Sequence, residues 1–305
     1  VAASIVDGLG SPAALGLQEI QDDNGPEDEG VVSAELTLAR LVDAIERTGG
    51  PRYAVRQIDP VHNADGGQPN GNIRVVWLLD PRRIRPVDRP ATASQTDGGE
   101  NPDASPARVA PESPAFAGDA ARGWEGGRKC LALDAVALAP SGEEPLLLVN
   151  CHLKSKRGDD RLFGSVQPPV FRTEEQRSAQ VRELRAYIER RLARRPDVGV
   201  VLVGDMNEHE FRPPMRLLDS PPLVGLMERV PPSERYTYNF NGNSQLLDHV
   251  FVSSPLATRV TEVTVVARDA LEVPGELHLR HEIRVPVETG GLQVARVALM
   301  WQEEQ

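Results

Sequence analysis

Four short runs set a polar residue of a chemically useful type at the end of an apolar stretch. These are Glu19 in LQEI, His152 in NCHLKSK, Asp205 and Asn207 in GDMN, and Asp248 in LLDHV. His281 in LRHEIRVPV is a fifth candidate. Taken singly, each has an ordinary structural reading. Glu19 could be a solvated strand end, Asp205 a cap, Asn207 a turn residue, His152 a structural histidine, and Asp248 with His249 an exposed pair. Together they are the parts that phosphodiester hydrolysis requires. The anionic oxygens of a phosphodiester repel nucleophiles, so a hard cation must polarise phosphorus and stabilise developing charge. Mg²⁺ or Mn²⁺, and Ca²⁺ as well, take oxygen donors, which suits Glu19. A histidine near neutrality takes the proton from attacking water if a carboxylate fixes its tautomer, and Asp248 with His281 would supply that pair.

Such residues act together only if their elements end at one rim. Residues 1–20 read as a helix and then a buried strand ending at LGLQEI. Leu38, Leu41, Val42 and Ile45 have helical spacing. YAVRQI and NIRVVWLL read as strands. The clearest helix spans 173–194, with Thr173 as cap, Gln176 completing a capping box, and Val181, Leu184, Ile188 and Leu192 as the apolar stripe. Pro196 stops it, VGVVLVGD follows as a buried strand, and QLLDHVFVS, RVTEVTVVA and LQVARVALM are strand-like. Residues 85–128, rich in Pro, Gly, Ser, Ala and Asp, read as a long, mobile surface insertion without a catalytic residue. Helices interspersed with many strands predict an α/β fold.

Cys130 and Cys151 lie in apolar runs, 129–139 and 145–151, separated by PSGEEP. A hairpin would bring them near each other, as two buried free thiols or alternatively as a disulfide. Two cysteines exclude a thiolate zinc cluster and a disulfide-rich scaffold. Forty-five acids against 34 bases leave a charge of −11, which repels a polyanion on average. A nucleic-acid partner therefore requires bound cations or a local basic patch. No stretch approaches the roughly 20 apolar residues of a membrane span. Val1 is not an initiator methionine, so the absence of a visible signal peptide says little about localisation.

The succession LQEI, GNIRVVWLLDP, NCHLKSK, GDMN and LDHVFVS resembles the endonuclease/exonuclease/phosphatase superfamily, to which pancreatic-type deoxyribonuclease belongs. DDRLFGSVQPPVFRTEEQR and ERYTYNFNGNSQLLDHVFVS resemble its secreted bacterial nuclease branch, and the likeness runs from about residue 1 to about residue 268. It implies a two-sheet β-sandwich flanked by helices, one domain over 1–288 with 289–305 as a C-terminal strand or tail, and a first strand lying ahead of this chain. Glu19 would hold the metal, and His152 would hold or protonate the phosphate. Asp205 would orient the attacking water, Asn207 a phosphate oxygen, and Asp248 the base His281. Asn72, Arg74 and Lys154 would contact phosphates. The implied activity is a Mg²⁺-dependent nuclease of low sequence preference acting on DNA ahead of RNA, monomeric, and secreted or displayed at a bacterial surface. Its closing motif is Ser-Asp-His, whereas LRHEIRVP places Arg280 where an aspartate is expected. Glu282 would face with Arg280, away from His281, and His278 competes for the histidine role. Two other readings follow: a phosphodiesterase or phosphatase of lipids or small molecules, and a catalytically weakened binding module.

Overall fold

The computed structural model describes residues 1–89, 104–109, 123–140, 142–240, 242–268, 280–287 and 292–298, with backbone alone at Phe240 and from residue 267 onward. The buried runs of the sequence form the inner strands of two facing sheets. In the first sheet the order is β11 (Asn243–Gln245), β10 (Tyr238–Phe240), β14 (Arg280–Val287), β15 (Leu292–Ala298), β1 (Ala14–Ile20), β3 (Arg74–Leu79) and β2 (Ala54–Arg56). β13 (Thr264–Arg268) also pairs with β14. The second sheet runs β4 (Ile84–Pro86), β6 (Leu131–Ala139), β7 (Gly142–His152), β8 (Gly199–Asp205), β12 (Asp248–Ser253) and β9 (Leu223–Gly225). β5 (Ala107–Arg108) pairs with β6.

Period-two alternation sorts each inner strand between two cores. Val75, Trp77 and Leu79 of β3 and Val201 and Val203 of β8 meet between the sheets. Val76 and Leu78 turn outward to α1 (Glu35–Arg47), against Leu38, Val42 and Ile45. Val200 and Leu202 turn outward to α2 (Glu174–Arg194), against Val181, Leu184 and Ile188. The result is a helix–sheet–sheet–helix sandwich, the expected α/β architecture, with both sheets buried on two faces. Among the described residues no helix is long and apolar enough to cross a membrane.

One polar link crosses the core and sets the sheets in register. Asn150 of β7, fully buried, donates from Nδ2 to the carbonyls of Leu17 and Val76, 3.0 Å each, and its Oδ1 accepts from Gln18 Nε2. The strands approach closely here because residue 16 is glycine. A Cβ on Gly16 would lie 2.8 Å from Val203 Cγ2 and 3.2 Å from Asn150 Nδ2.

Three expectations change. Cys130 and Cys151, one step beyond the Leu131–Asn150 pair of the β6–β7 ladder, are joined as a disulfide with Cα atoms 4.4 Å apart. Directly opposed antiparallel positions bring their Cβ atoms within bonding reach, so they are not free thiols. The capping box at α2 does not form. Thr173 Oγ1 donates to Asp159 Oδ2, and Gln176 donates to the carbonyls of Gly123 and Glu125, so both side chains go to neighbouring loops. The stretch 85–128 is not wholly a surface insertion either. β5 pairs into the second sheet, and Val109 and Trp124 are buried in its helix-side core. Residues 90–103 and 110–122 of that stretch lie outside the described residues.

Candidate active site

Glu19 owes its position to a β-bulge. The pairing of β1 with β3 shifts register between Leu17 and Ile20, and Glu19 takes φ of +58°. This left-handed conformation costs a non-glycine residue about 1 kcal/mol. Bulges re-aim side chains at the rims of sheets. Here the carboxylate emerges at the end of β1 and meets the end of β7, with Glu19 Oε1 3.8 Å from His152 Nε2. On its other side His152 Nε2 lies 3.9 Å from Asp205 Oδ2. His152 is 3% exposed.

β7 and β8 run parallel, and both finish at the pair His152–Asp205. The close approach needs glycine at 204, where a Cβ would stand 2.1 Å from the Cys151 carbonyl oxygen. Just past β8, the Asn207 amide N–H donates to Asp205 Oδ1 at 2.8 Å, and Asn207 itself is left-handed at φ +48°. Its side-chain Nδ2 donates to the Leu153 carbonyl at 3.1 Å, tying the segment after β8 to the segment after β7.

Asp248 opens β12 directly across from Asp205 and is buried, not exposed. Its backbone N–H donates to Thr237 Oγ1, and the next residue, Tyr238, pairs with Arg280 at the start of β14. β14 runs antiparallel to β15, and β15 parallel to β1, so β14 begins at the rim where β1 ends. The backbone of Arg280 and His281 therefore lies at the same rim as Glu19 and Asp248. Their side chains and His278 fall outside the described residues.

A residue that sequence reasoning missed is Arg128, which belongs to the stretch 85–128 that was expected to contribute nothing to the site. It is 7% exposed, lies just before β6 and donates to the Leu153 carbonyl at 2.8 Å. Burial pushes its guanidinium below the ordinary value, while the carboxylates of Glu19 and Asp205 pull it back up. A guanidinium stays charged under such opposition. It therefore faces the two acids as a fixed cation. The signal for it was weak, a single Arg in GGRKC at the edge of the Pro- and Gly-rich stretch.

Two expected phosphate contacts have other work. Asn72 Nδ2 donates to Asp22 Oδ2 and to the carbonyls of Val31 and Asn70, while its Oδ1 accepts from the Asn63 N–H. Arg74, 4% exposed, donates to Asp59 Oδ1 and Gln57 Oε1 and to the carbonyls of Val32 and Asn72. Both side chains tie loops together beside the first sheet rather than presenting donors to a phosphate. Lys154 is half-buried just past His152, its backbone N–H held by Gln180 Oε1 at 2.9 Å.

Behind the site lies a buried ionic clamp. Arg177 of α2, fully buried, donates to Glu208 Oε2 and Asp159 Oδ2, each at 2.9 Å, and Glu208 Oε1 accepts from Lys156 Nζ at 3.1 Å. Glu208 follows Asn207, so the clamp joins α2 to both segments that leave the rim. Burial holds the neighbouring His209 down at about 4, with the Lys156 charge adding to the effect, so the ring is neutral at neutral pH.

Among the described residues no group of three or more His, Cys, Asp or Glu side chains is arranged to hold an ion. Hard divalent cations such as Mg²⁺ keep several waters and bind through one or two carboxylates. Glu19, partly solvent-exposed at the bulge, with Asp205 nearby, fits that donor pattern.

A family model described as Endonuclease/Exonuclease/phosphatase family matches residues 9–270. No curated protein matches the chain. Among solved structures, an endonuclease/exonuclease/phosphatase family protein from Leptotrichia buccalis is similar with a TM-score of 0.54 at 12% identity, covering 94% of this chain and 90% of that one. A mannosyl-6-phosphatase from Bacteroides thetaiotaomicron gives 0.52 at 12%, covering 95% and 86%. Truncated TDP2 from Caenorhabditis elegans gives 0.50 at 14%, covering 92% and 86%. At these identities the likeness is one of fold.

Proposed function

Because the chain belongs to the endonuclease/exonuclease/phosphatase family, whose enzymes hydrolyse phosphoester bonds and generally use divalent metal ions, we propose that it is a metal-dependent nuclease of low sequence preference, acting on DNA ahead of RNA. The observation that carries this reading is the grouping of Glu19, His152 and Asp205 about one imidazole nitrogen. Glu19 would hold a divalent cation such as Mg²⁺, which would supply polarisation of the phosphoryl group and stabilisation of its developing charge. Asp205, braced by the Asn207 N–H, orients the attacking water. His152 donates from its ring to a phosphate oxygen, Arg128 offsets the negative charge of the paired acids, and Lys154 meets the strand as it leaves. Asp248 fixes the tautomer of His281, which takes the proton from water. The disulfide suits an oxidising compartment and so supports secretion.

The test is incubation of plasmid DNA, RNA, a generic phosphodiester and a sugar monophosphate with Mg²⁺ and with chelator. DNA cleavage that chelator abolishes, and that Glu19→Gln lowers by about two orders of magnitude or more, is expected. Turnover of the monoester alone would replace the nuclease with a phosphatase.

A further inference from the structure

We propose that Phe211 and the loop after His152 form a base-stacking platform, on which a nucleotide adjoining the scissile phosphate rests its unpaired base. This deepens the nuclease reading and rests on it. Seven large apolar side chains are exposed among the described residues, and four of them lie on the two segments that leave the rim: Phe163 at 78%, Val166 at 54%, Val170 at 49% and Phe211 at 45%. Three of the four share the loop 161–171 that follows β7, and the fourth follows Asn207. Exposed apolar side chains on segments that touch one another mark an interaction surface, and these two touch where Arg212 lies over Phe171.

The geometry favours bases over a lipid surface. Phe211 is stacked flat on His209, with ring centroids 5.2 Å apart and planes 3° from parallel. His209 is 4% exposed, so the aromatic pair is anchored from beneath while Phe211 stands in solvent. A flat, preorganised ring stacks on any base with little ordering cost. The two segments meet at Phe171, with Lys156 Nζ 5.3 Å and the Arg212 guanidinium 4.3 Å from its ring centroid. Arg212 adjoins Phe211, and Lys156 bonds Glu208 next to Asn207. Lys156 is held by Glu208 and Arg212 by Glu174, so these ion pairs fix the two segments beside Phe211. Phe211 lies four residues past Asn207, at most roughly 14 Å along the chain, within reach of a neighbouring nucleotide.

The measurement is kcat/KM on single-stranded oligonucleotides with normal bases and with abasic nucleotides beside the cleaved bond. Phe211 is surface-exposed, so Phe211→Ala leaves the core intact. The expected result is that the preference for base-bearing over abasic strands falls roughly 10-fold in Phe211→Ala and is retained in Phe211→Trp. A parent enzyme that cleaves DNA, with the same preference in both variants, overturns the platform alone. A parent that cleaves no nucleic acid overturns the platform together with the nuclease reading. Loss of binding to anionic phospholipid vesicles in Phe211→Ala, with oligonucleotide cleavage unchanged, would replace the base with a membrane.

Discussion

Arg128 is a fixed positive charge in a site otherwise built from acids and an imidazole. Burial of a guanidinium is tolerated only where negative charge compensates it, and Glu19 and Asp205 are the groups that do so. When phosphate enters, the same cation faces a further negative group, so its removal should act on the reaction more than on the fold. Arg128→Met, which keeps the stem and discards the charge, is expected to lower kcat/KM about 10- to 100-fold, with Arg128→Lys intermediate because it loses the planar fork. Unchanged kinetics in Arg128→Met would make the residue structural. A second residue-scale prediction concerns His209. The unfolded chain takes up its proton near 6.5, whereas the folded chain resists until about 4, so in that window the unfolded state binds more protons. Stability therefore falls as pH drops from 6.5 toward 4, by up to ~3 kcal/mol from this ring. Urea unfolding at pH 7 and pH 4.5 should show a smaller acid loss in His209→Gln than in the parent, and equal losses would sink the assignment. Glu19, His152 and Asp205 were legible because each ends an apolar run with a residue of unusual chemistry. Arg128 was not, because arginine is common on surfaces and its burial depends on contacts remote in sequence. Asn72 and Arg74 misled for the related reason that polar residues before a strand serve loops as readily as ligands.

At the scale of elements, the rim is held by links between strands. The disulfide joins the residue before β6 to the residue before His152, with Arg128 two positions away on the other arm. Cys130→Ala/Cys151→Ala is expected to lower unfolding free energy by about 3 kcal/mol, given a sequence separation of 21 residues. Turnover should fall with it as His152 and Arg128 gain freedom. A reductant-insensitive urea midpoint equal to that of the double variant would show that the link contributes nothing. The Asn150 bridge does comparable work between the sheets, because a buried amide bonded to both fixes where the end of β1 falls against the end of β7. The strands and both long helices were readable from periodicity, since alternation and 3.6-residue spacing reflect which face is buried. The capping box was a false signal. Local spacing suggested a bond from Thr173 to its own helix, but Asp159 offered it a charged acceptor.

For the whole molecule, the open question in the sequence was how a chain of net charge −11 could approach a polyanion. Neighbour relations between distant strands resolve part of it, and those were not legible. β15, near the end of the chain, lies beside β1 near its start, and no local pattern encodes a pairing across that separation. The folding gathers two cations, Arg128 and Lys154, at the rim, while Lys156 is held in the clamp behind it by Glu208. Such a surface makes few phosphate contacts, and the salt dependence of binding counts them. For single strands the slope of log K against log salt is roughly −0.7 per neutralised phosphate, so two contacts predict a slope of about −1.4. Fluorescence anisotropy of a labelled oligonucleotide at fixed free Mg²⁺ should then show affinity falling roughly 7-fold between 50 and 200 mM salt. Lys154→Gln should flatten the slope by about 0.7, because its ammonium leaves the rim directly after the strand that ends in His152. A slope steeper than about −5 would require many more phosphate contacts than Arg128 and Lys154 supply, and a slope near zero would mean that stacking alone holds the strand.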